Sequence, residues 1–173
     1  MDLELNRIQQ VSDRFSKRGY ETKLEEINLS EIVEKVVSYL DRRLPSMGKT
    51  VELSNEVDSE FNINANGVLI SWAIENVIKN GIDAVDNNGK ICVKMRKNFK
   101  NVVIQIMDSG KGISRKDWRN IFRPGFSSKV QGWGLGLSLT SRIIKEIHGG
   151  SIRVAKSNIG NGTTIEITLP QPN

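Results

Sequence analysis

Cysteine and histidine are scarce in this sequence, which has one of each, Cys92 and His148. A single cysteine cannot form an internal disulfide, and one cysteine with one histidine cannot build the nitrogen and sulfur cages that hold zinc. Among metals, only an oxygen-bound ion such as Mg²⁺ is compatible with this composition. The cysteine usage favours a reducing, cytoplasmic setting.

Long apolar runs are also lacking. No stretch approaches the roughly 20 residues that span a bilayer, and the charged start of the sequence is unlike a signal peptide. We therefore expect a cytoplasmic domain, with membrane anchoring of a longer protein left open. The net charge of +5 comes from scattered lysines and arginines without interleaved aromatic residues, which indicates anionic small ligands and excludes nucleic acid as the expected partner.

Two periodicities organise the 173 residues. Apolar spacings of three and four predict helices over residues 3–18, from the N-cap at 28–30 to near Pro45, over 67–85 and over 135–147. Alternating and β-rich runs predict strands at 50–57, 60–63, 90–97, 102–107, 151–156 and 163–169, the last four in two hairpins. Because helices and strands do not alternate strictly, we predict an α+β fold, a two-layer sandwich of a mixed β-sheet covered on one face by helices.

The segment 109–133 is predicted to be a long glycine-containing loop with one short helix at 115–122. It is longer than most connections in a compact domain, and loops of that length are usually functional.

Polar side chains that could bind a ligand lie on the predicted central helix. Asn76 and Asn80 are four residues apart and share one helix face, with Glu75 and Lys79 beside them. Asparagine is a poor helix former, so its carbonyl oxygens are candidates for contact with an ion or a phosphate. The alternative is a solvated face with a Glu75 to Lys79 ion pair.

Two glycine-containing motifs follow. Asp108 ends a predicted strand and begins the motif Asp108-Ser109-Gly110-Lys111-Gly112-Ile113. Its carboxylate could accept a hydrogen bond from an exocyclic amine, and the glycines would let a flat ring approach the backbone closely. The alternative is an ordinary turn. Gly132-Trp133-Gly134-Leu135-Gly136-Leu137-Ser138 opens a predicted helix, where backbone amides suit phosphate. Glycines that only permit close packing are the alternative here.

Together with Ile121-Phe122-Arg123-Pro124-Gly125-Phe126 and His148-Gly149-Gly150, these motifs closely resemble, in order and spacing, the nucleotide-binding boxes of sensor histidine kinases. The resemblance covers about residues 30–170 and points to their catalytic ATP-binding domain. That domain belongs to the superfamily of gyrase-type, chaperone and mismatch-repair ATPases. It implies a Bergerat-type sandwich that holds ATP and Mg²⁺ under a lid formed by residues 109–133.

The resemblance also implies roles for single residues. Asn80 is the expected Mg²⁺ ligand with Asn76 as its helper, and Asp108 is the expected reader of adenine. The remaining expected nucleotide contacts are Lys79, Gly110, Gly112, Ile113, Phe122, Arg123, Lys129, Gly132, Gly134, Leu135, Gly136 and Leu137, with Phe126 as a second packing anchor of the lid.

Three departures from the family pattern matter. Gly81 stands where the family most often has alanine, and the lid between Phe126 and Gly132 is short. The phosphoacceptor histidine is missing, and His148, at a helix end, is better suited to a helix-dipole or packing role. We therefore expect a fragment: residues 1–19 form the helical tail of an upstream dimerisation and histidine phosphotransfer domain, and residues 20–173 form the catalytic domain.

The expected function is to bind Mg-ATP and donate its γ-phosphate to a histidine on that absent domain, for two-component signalling to a response regulator receiver domain. The full-length protein is expected to be a homodimer. The alternatives are an ATP-hydrolysing machine, which would need a water-activating glutamate where Asn76 stands, and a non-catalytic nucleotide-responsive interaction module. An anti-sigma type serine kinase expects the same glutamate and is disfavoured for the same reason.

Overall fold

A computed structural model of the chain describes residues 22–126 and 136–172. The helices and strands follow one another as β1 (Glu25–Asn28), α1 (Leu29–Arg43), β2 (Thr50–Glu56), β3 (Asn62–Ala65), α2 (Gly67–Ala84), β4 (Asn88–Asn98), β5 (Asn101–Asp108), α3 (Gly136–Arg142), β6 (Ser151–Ser157) and β7 (Thr163–Pro170). Short 3₁₀ turns lie at Pro45–Met47, Arg115–Asp117 and Asn120–Phe122, and a π-helical turn, Ile143–Ile147, continues α3.

The main sheet has five strands in the order β2-β4-β5-β7-β6. β2 runs parallel to β4, and the other neighbours are antiparallel. β1 and β3 form a separate two-stranded antiparallel sheet. The predicted α+β class with a mixed sheet is confirmed, as are the β4–β5 and β6–β7 hairpins.

The core lies between the main sheet and the helices. Along β4, Ile91, Val93 and Met95 are buried while the intervening residues are more exposed, which is the alternation of a sheet with one covered face. Side chains that lose all contact with solvent come from both layers: Leu29, Leu40, Ile70, Ile74, Ile78, Ile82, Ile91, Ile104, Ile143, Ile144 and Ile167. Each such side chain contributes about 1.5–3 kcal/mol by burial.

The central helix α2 matches its predicted range of 67–85. It begins after Asn66, whose side-chain oxygen accepts a hydrogen bond from the Leu69 N–H at 3.1 Å, an N-cap that satisfies one of the free amides at the helix start. A stripe of isoleucines at every fourth position faces the core. This orientation turns Asn76 and Asn80 toward another side of the helix.

Two predictions of secondary structure are wrong in detail. The strand predicted at 60–63 is β3, two residues later, and it pairs with β1, a strand that was not predicted because Glu25–Asn28 has one apolar residue and no alternation. The helix predicted at 115–122 is two 3₁₀ turns. Ser114 Oγ donates to Asp117 at 2.7 Å and Asn120 Nδ2 donates to Asp117 at 3.3 Å, and such local side-chain bonds compete with an α-helix.

The predicted helix at 3–18 lies outside the described residues. In the part of the chain that is described, no helix combines the length and the apolar character needed to cross a bilayer.

Candidate nucleotide-binding site

The two asparagines of α2 are tied to their surroundings through their amide nitrogens. Asn80 Nδ2 donates to the backbone oxygen of Asn76 at 2.8 Å, and Asn76 Nδ2 donates to Thr140 Oγ1 on α3 at 3.0 Å. Thr140 donates in turn to the Gly136 carbonyl at 2.9 Å. A methyl group on Gly136 would lie 2.7 Å from Asn76 Oδ1, so α3 begins in direct contact with the asparagine that the sequence assigns to the metal site.

This arrangement fits Mg²⁺ chemically. Both asparagine side chains also carry an amide carbonyl oxygen, and oxygen is the ligand that Mg²⁺ prefers. No cluster of three or more histidines, cysteines or carboxylates occurs among residues 22–126 and 136–172. A Mg²⁺ ion held at Asn80 and Asn76 would therefore depend on ligand phosphates and water for its other contacts, as Mg²⁺ commonly does.

Glu75 and Lys79, which are four residues apart on α2, form an ion pair. Lys79 Nζ lies 3.1 Å from Glu75 Oε1, and the two side chains are 28% and 11% exposed. Glu75 is thus a mostly buried carboxylate engaged by a cation. The ion pair predicted as the alternative for this helix face exists, and it stands beside the asparagines without replacing their contacts.

Asp108 is the last residue of β5 and points toward α2. Its Oδ1 accepts from the Gly110 N–H at 2.8 Å. Burial raises the pKa of this carboxyl, although hydrogen bonds from the Gly110 and Thr163 amides act in the opposite direction. The carboxylate is therefore held in place, but its hydrogen bonds do not fully offset the cost of burying its charge. Such a group is suited to accept a hydrogen bond from a ligand.

The glycines after Asp108 are needed for close packing of backbone. A methyl group on Gly110 would lie 2.5 Å from the Ala84 carbonyl oxygen, and one on Gly112, whose φ is +76°, would meet the Asn158 backbone. Gly162 makes the same approach to the backbone of Asp108. The loop therefore lies pressed between the end of α2 and the β6–β7 turn.

Three further predicted contact residues line the core side of this region. Ile113, Phe122 and Leu137 are partly buried and pack against the hydrophobic core. The Ile113 N–H donates to Ser157 Oγ at 2.7 Å. Phe126, expected to be a packing anchor, is 39% exposed, and Arg123 is exposed.

Several predicted residues cannot be placed. Lys129, Gly132, Gly134 and Leu135 lie outside the described residues. Among the other predicted residues, the structure brings Asn76, Asn80 and Gly136 into one cluster and Asp108, Gly110 and Gly112 into a second, and Gly81 of α2 joins the two, since a methyl group on Gly81 would lie 3.7 Å from Asp108 Oδ2.

His148 is a structural residue. It is buried, its Nε2 accepts from the Asn66 N–H at 3.1 Å, and its Nδ1 donates to the Ile143 carbonyl at 2.8 Å. Burial lowers the pKa of its imidazole. A neutral ring with both nitrogens bonded to backbone is not available as a nucleophile, in agreement with the helix-end packing role predicted for it.

Sequence reasoning missed two supporting residues. Thr140 holds Asn76, and Ser157 holds the loop after Asp108 by accepting from Ile113 and donating to the Gly162 carbonyl at 3.0 Å. Gly160-Asn161-Gly162 was the available signal for the second, because paired glycines mark a turn that approaches other backbone. A lone threonine inside a helix offers no such signal.

Residues 65–173 match the family described as "Histidine kinase-, DNA gyrase B-, and HSP90-like ATPase". Sporulation kinase D of Bacillus subtilis (strain 168) is 31% identical over 172 residues, which are 98% of this chain and 34% of that protein. The catalytic domain of histidine kinase ThkA is 30% identical and superposes with a TM-score of 0.77 over 87% of this chain and 97% of that domain.

A longer structure, histidine kinase ThkA in complex with response regulator protein TrrA, is 25% identical with a TM-score of 0.77 and covers 99% of this chain and 49% of that one. The chain spans about a third of the length of the curated relatives that head these matches.

Proposed function

Because the chain belongs to the histidine kinase-, DNA gyrase B- and HSP90-like ATPases and is similar along its length to histidine kinase catalytic domains, we propose that it binds Mg-ATP and donates the γ-phosphate to a histidine on another domain. The family fixes the nucleotide as ATP. The metal, the acceptor and the residue roles are part of the proposal.

The observation that carries this proposal is the placement of α2 beside Asp108. Asn80 belongs to the asparagine pair, and the next residue, Gly81, lies against the Asp108 side chain. The same part of α2 therefore carries the asparagine pair and touches a carboxylate whose pKa is raised by burial. This juxtaposition supports a ligand that has both phosphate groups and an amine-bearing ring.

Each residue then has a defined task. Asp108 accepts the hydrogen bond of the adenine amine, and Asn80, assisted by Asn76, holds Mg²⁺, which neutralises charge on the phosphates when bound. Lys79, Arg123 and Lys129 are phosphate contacts, and the glycines at 132, 134 and 136 let backbone approach the triphosphate. Catalysis of this kind consists of positioning and charge neutralisation.

The nucleophile comes from elsewhere. We assign residues 1–19 to the end of a dimerisation and histidine phosphotransfer domain, which would carry the acceptor histidine in a homodimeric full-length protein, and residues 20–173 to the catalytic domain. The receiver domain of a response regulator would then take the phosphoryl group. Kinase ThkA binding the response regulator TrrA supports this partner class.

Hydrolysis of ATP as the main activity is disfavoured by Glu75. Its carboxylate is engaged by Lys79 at 3.1 Å, and Asn76 occupies the position where a water-activating glutamate would be needed. A general base must reach the proton that it removes, and the Glu75 carboxylate, which adjoins Asn76 in the chain, is held by a lysine.

Calorimetric titration of ATP and GTP, each with and without Mg²⁺, tests the binding half of the proposal. We expect ATP to bind at least tenfold more tightly than GTP, because a site built around an acceptor for the adenine amine rejects a base that presents a carbonyl oxygen there. Asn80→Ala should abolish the effect of Mg²⁺ on ATP affinity, and Lys97→Ala, at the far end of β4, serves as the control. Equal affinity for ATP and GTP would refute the assignment of Asp108.

Transfer is tested by supplying the upstream helical segment of the full-length protein as a separate chain with labelled ATP. Acid-labile label should appear on that segment and not on residues 20–173. Label that stays on this chain and disappears in His148→Gln would contradict the proposed acceptor.

A further inference from the structure

A groove opens beside the loop that follows Asp108. It has a volume of about 550 Å³ and lies between the 3₁₀ turn at Arg115–Asp117 on one side and residues 155–159, the end of β6 and the following turn, on the other. Pockets of about 300–1,000 Å³ are the usual size for a bound ligand or a few side chains. Ile113 is the one expected nucleotide contact among the residues that line this groove.

Two exposed cations face each other across the groove. Arg115 lines one wall and stacks on the Trp118 ring at 3.9 Å from its centroid, which fixes the guanidinium. Lys156 lines the other wall, where irregular pairing between Val154 and Lys156 leaves Ala155 as an extra residue in β6. A bulge of this kind redirects the neighbouring side chains.

The charge of the groove is one-sided. No carboxylate lines it among the described residues, and neither Arg115 nor Lys156 forms an ion pair there. The nearby Asp117 carboxylate accepts from Ser114 and Asn120. Residues 111–123 carry five lysines and arginines against this one aspartate. The surface around the groove is therefore complementary to an acidic ligand.

The floor and rim of the groove are apolar. Ile113 and Ala155 contribute to the lining, and Ile159 stands at the rim with 69% of its surface exposed. A fixed guanidinium suits a carboxylate, which it can bind through two parallel hydrogen bonds. An inorganic anion would leave the apolar part unused, and a flat membrane surface would not fill a concave groove.

We propose that this groove binds an acidic segment of a partner protein, whose carboxylates pair with Arg115 and Lys156 and whose apolar side chain contacts Ile113 and Ile159. The groove shares Ile113 with the expected nucleotide contacts, its other lining residues are distinct from them, and backbone hydrogen bonds connect it to the loop after Asp108.

The connection runs through the β6–β7 turn. The Gly160 N–H donates to the Lys111 carbonyl at 2.8 Å and the Gly162 N–H donates to the Gly110 carbonyl at 2.9 Å. One wall of the groove is thus bonded to the loop that begins at Asp108. Resting on the proposed function, we infer that occupation of the groove changes ATP affinity, and that ATP changes peptide affinity by the same factor.

The Trp118 indole N–H, which donates to the Ile113 carbonyl at 3.2 Å, is the reporter for the test. Its NMR resonance, identified with Trp118→Phe, is followed while a short glutamate-rich peptide containing one leucine is added. The matched peptide has glutamine in place of every glutamate. We expect saturable shifts with the acidic peptide, weaker binding at high salt, and no shifts with the neutral peptide.

Charge reversal locates the site. Arg115→Glu and Lys156→Glu should each weaken peptide binding about fivefold to tenfold, while Lys97→Glu, at the opposite end of the sheet, should leave it unchanged. All three positions are exposed, so the variants should keep dispersed spectra. Equal weakening by Lys97→Glu, equal binding of the neutral peptide, or no binding of the acidic peptide would overturn the proposal.

Vesicles containing anionic lipid are the competing ligand. Stronger retention on such vesicles than on neutral ones, lost in Arg115→Glu, without any peptide binding, would assign the groove to a membrane and overturn our assignment. Peptide binding that leaves ATP affinity unchanged would overturn the coupling. Absence of ATP binding without peptide would instead refute the proposed function and leave the groove intact.

Discussion

Replacing Gly81 by alanine would add a methyl group at the point where α2 meets Asp108. Alanine is favoured over glycine by about 1 kcal/mol in a helix interior, so the helix alone would be stabilised. The added carbon, however, would lie 3.3 Å from Asp108 Cβ and 3.3 Å from Ile91 Cδ1. Carbon atoms pack best at about 3.5–4.0 Å, so both neighbours must move.

Neither neighbour moves easily. Ile91 has no exposed surface, and Asp108 Cβ is one bond from the backbone of β5, which is paired on both sides. Overpacking of this kind costs about 1–3 kcal/mol. Subtracting the helix gain leaves a net loss of about 1 kcal/mol, which lowers the melting temperature by about 2–4 °C for a chain of this size.

Thermal unfolding of the ligand-free protein measures this loss. Gly67→Ala is the control, because it lies at the start of the same helix and its added methyl group would be 3.7 Å from the nearest side-chain atom. It should not destabilise. Ile91→Val removes the crowded Cδ1, so it should cost less in the Gly81→Ala background than alone. A rise in melting temperature for Gly81→Ala, of the size that helix propensity predicts, would refute the packing argument.

Four further predictions concern the charged and polar side chains of the site. Asp108→Asn removes the carboxylate that is proposed to accept from the adenine amine, so ATP affinity measured by calorimetry should fall about tenfold or more. The variant keeps an oxygen for the Gly110 N–H and removes a charge that burial disfavours, as the raised pKa shows, so the melting temperature of the ligand-free protein should not fall. Lys79→Ala should weaken the binding of ADP and of ATP by the same factor, about threefold to tenfold. A loss of affinity for ATP alone would place Lys79 at the γ-phosphate. Glu75→Gln should leave the slow steady hydrolysis of ATP within about twofold of the parent, and its abolition would make Glu75 the base. Because the pKa of His148 is lowered on folding, the unfolded chain binds more protons, and stability should be lost as pH falls below about 6.5. Between about pH 7.5 and 5.5, the melting temperature should therefore change less with pH in His148→Gln than in the parent.

The helices and strands of the core could be predicted because their periodicity reflects burial. α2 places isoleucine at every fourth position, and β4 and β5 are strongly β-forming runs joined by a short turn. β1 could not be predicted, since its four residues include only one apolar side chain. It is a strand because it pairs with β3, which is distant in the sequence. The 3₁₀ turns after Ser114 were missed because local bonds to Asp117 outweigh helical spacing.

For the candidate site, the asparagines and Asp108 could be named because their residue types are unusual where they stand. Their mutual arrangement could not, since it depends on contacts such as that between Asn76 and Thr140. For the glycines after Asp108, the structure adds a packing role that the sequence did not indicate. We expected Gly110 and Gly112 to contact the nucleotide, and their missing side chains also make room for Ala84 and Asn158 of the protein itself.

The strand order has a consequence for how the sheet assembles. β4–β5 and β6–β7 are hairpins of neighbouring chain, and the first closes through two residues, Phe99 and Lys100. β2 is different, because Thr50 pairs with Asn88, 38 positions further along, across the whole of α2. Loop closure of that kind is slow and is gained late in folding. Amide hydrogens of this edge strand should therefore exchange with solvent at lower opening free energy than those of β4 and β5, so the sheet would unravel from β2 inward while the hairpins persist.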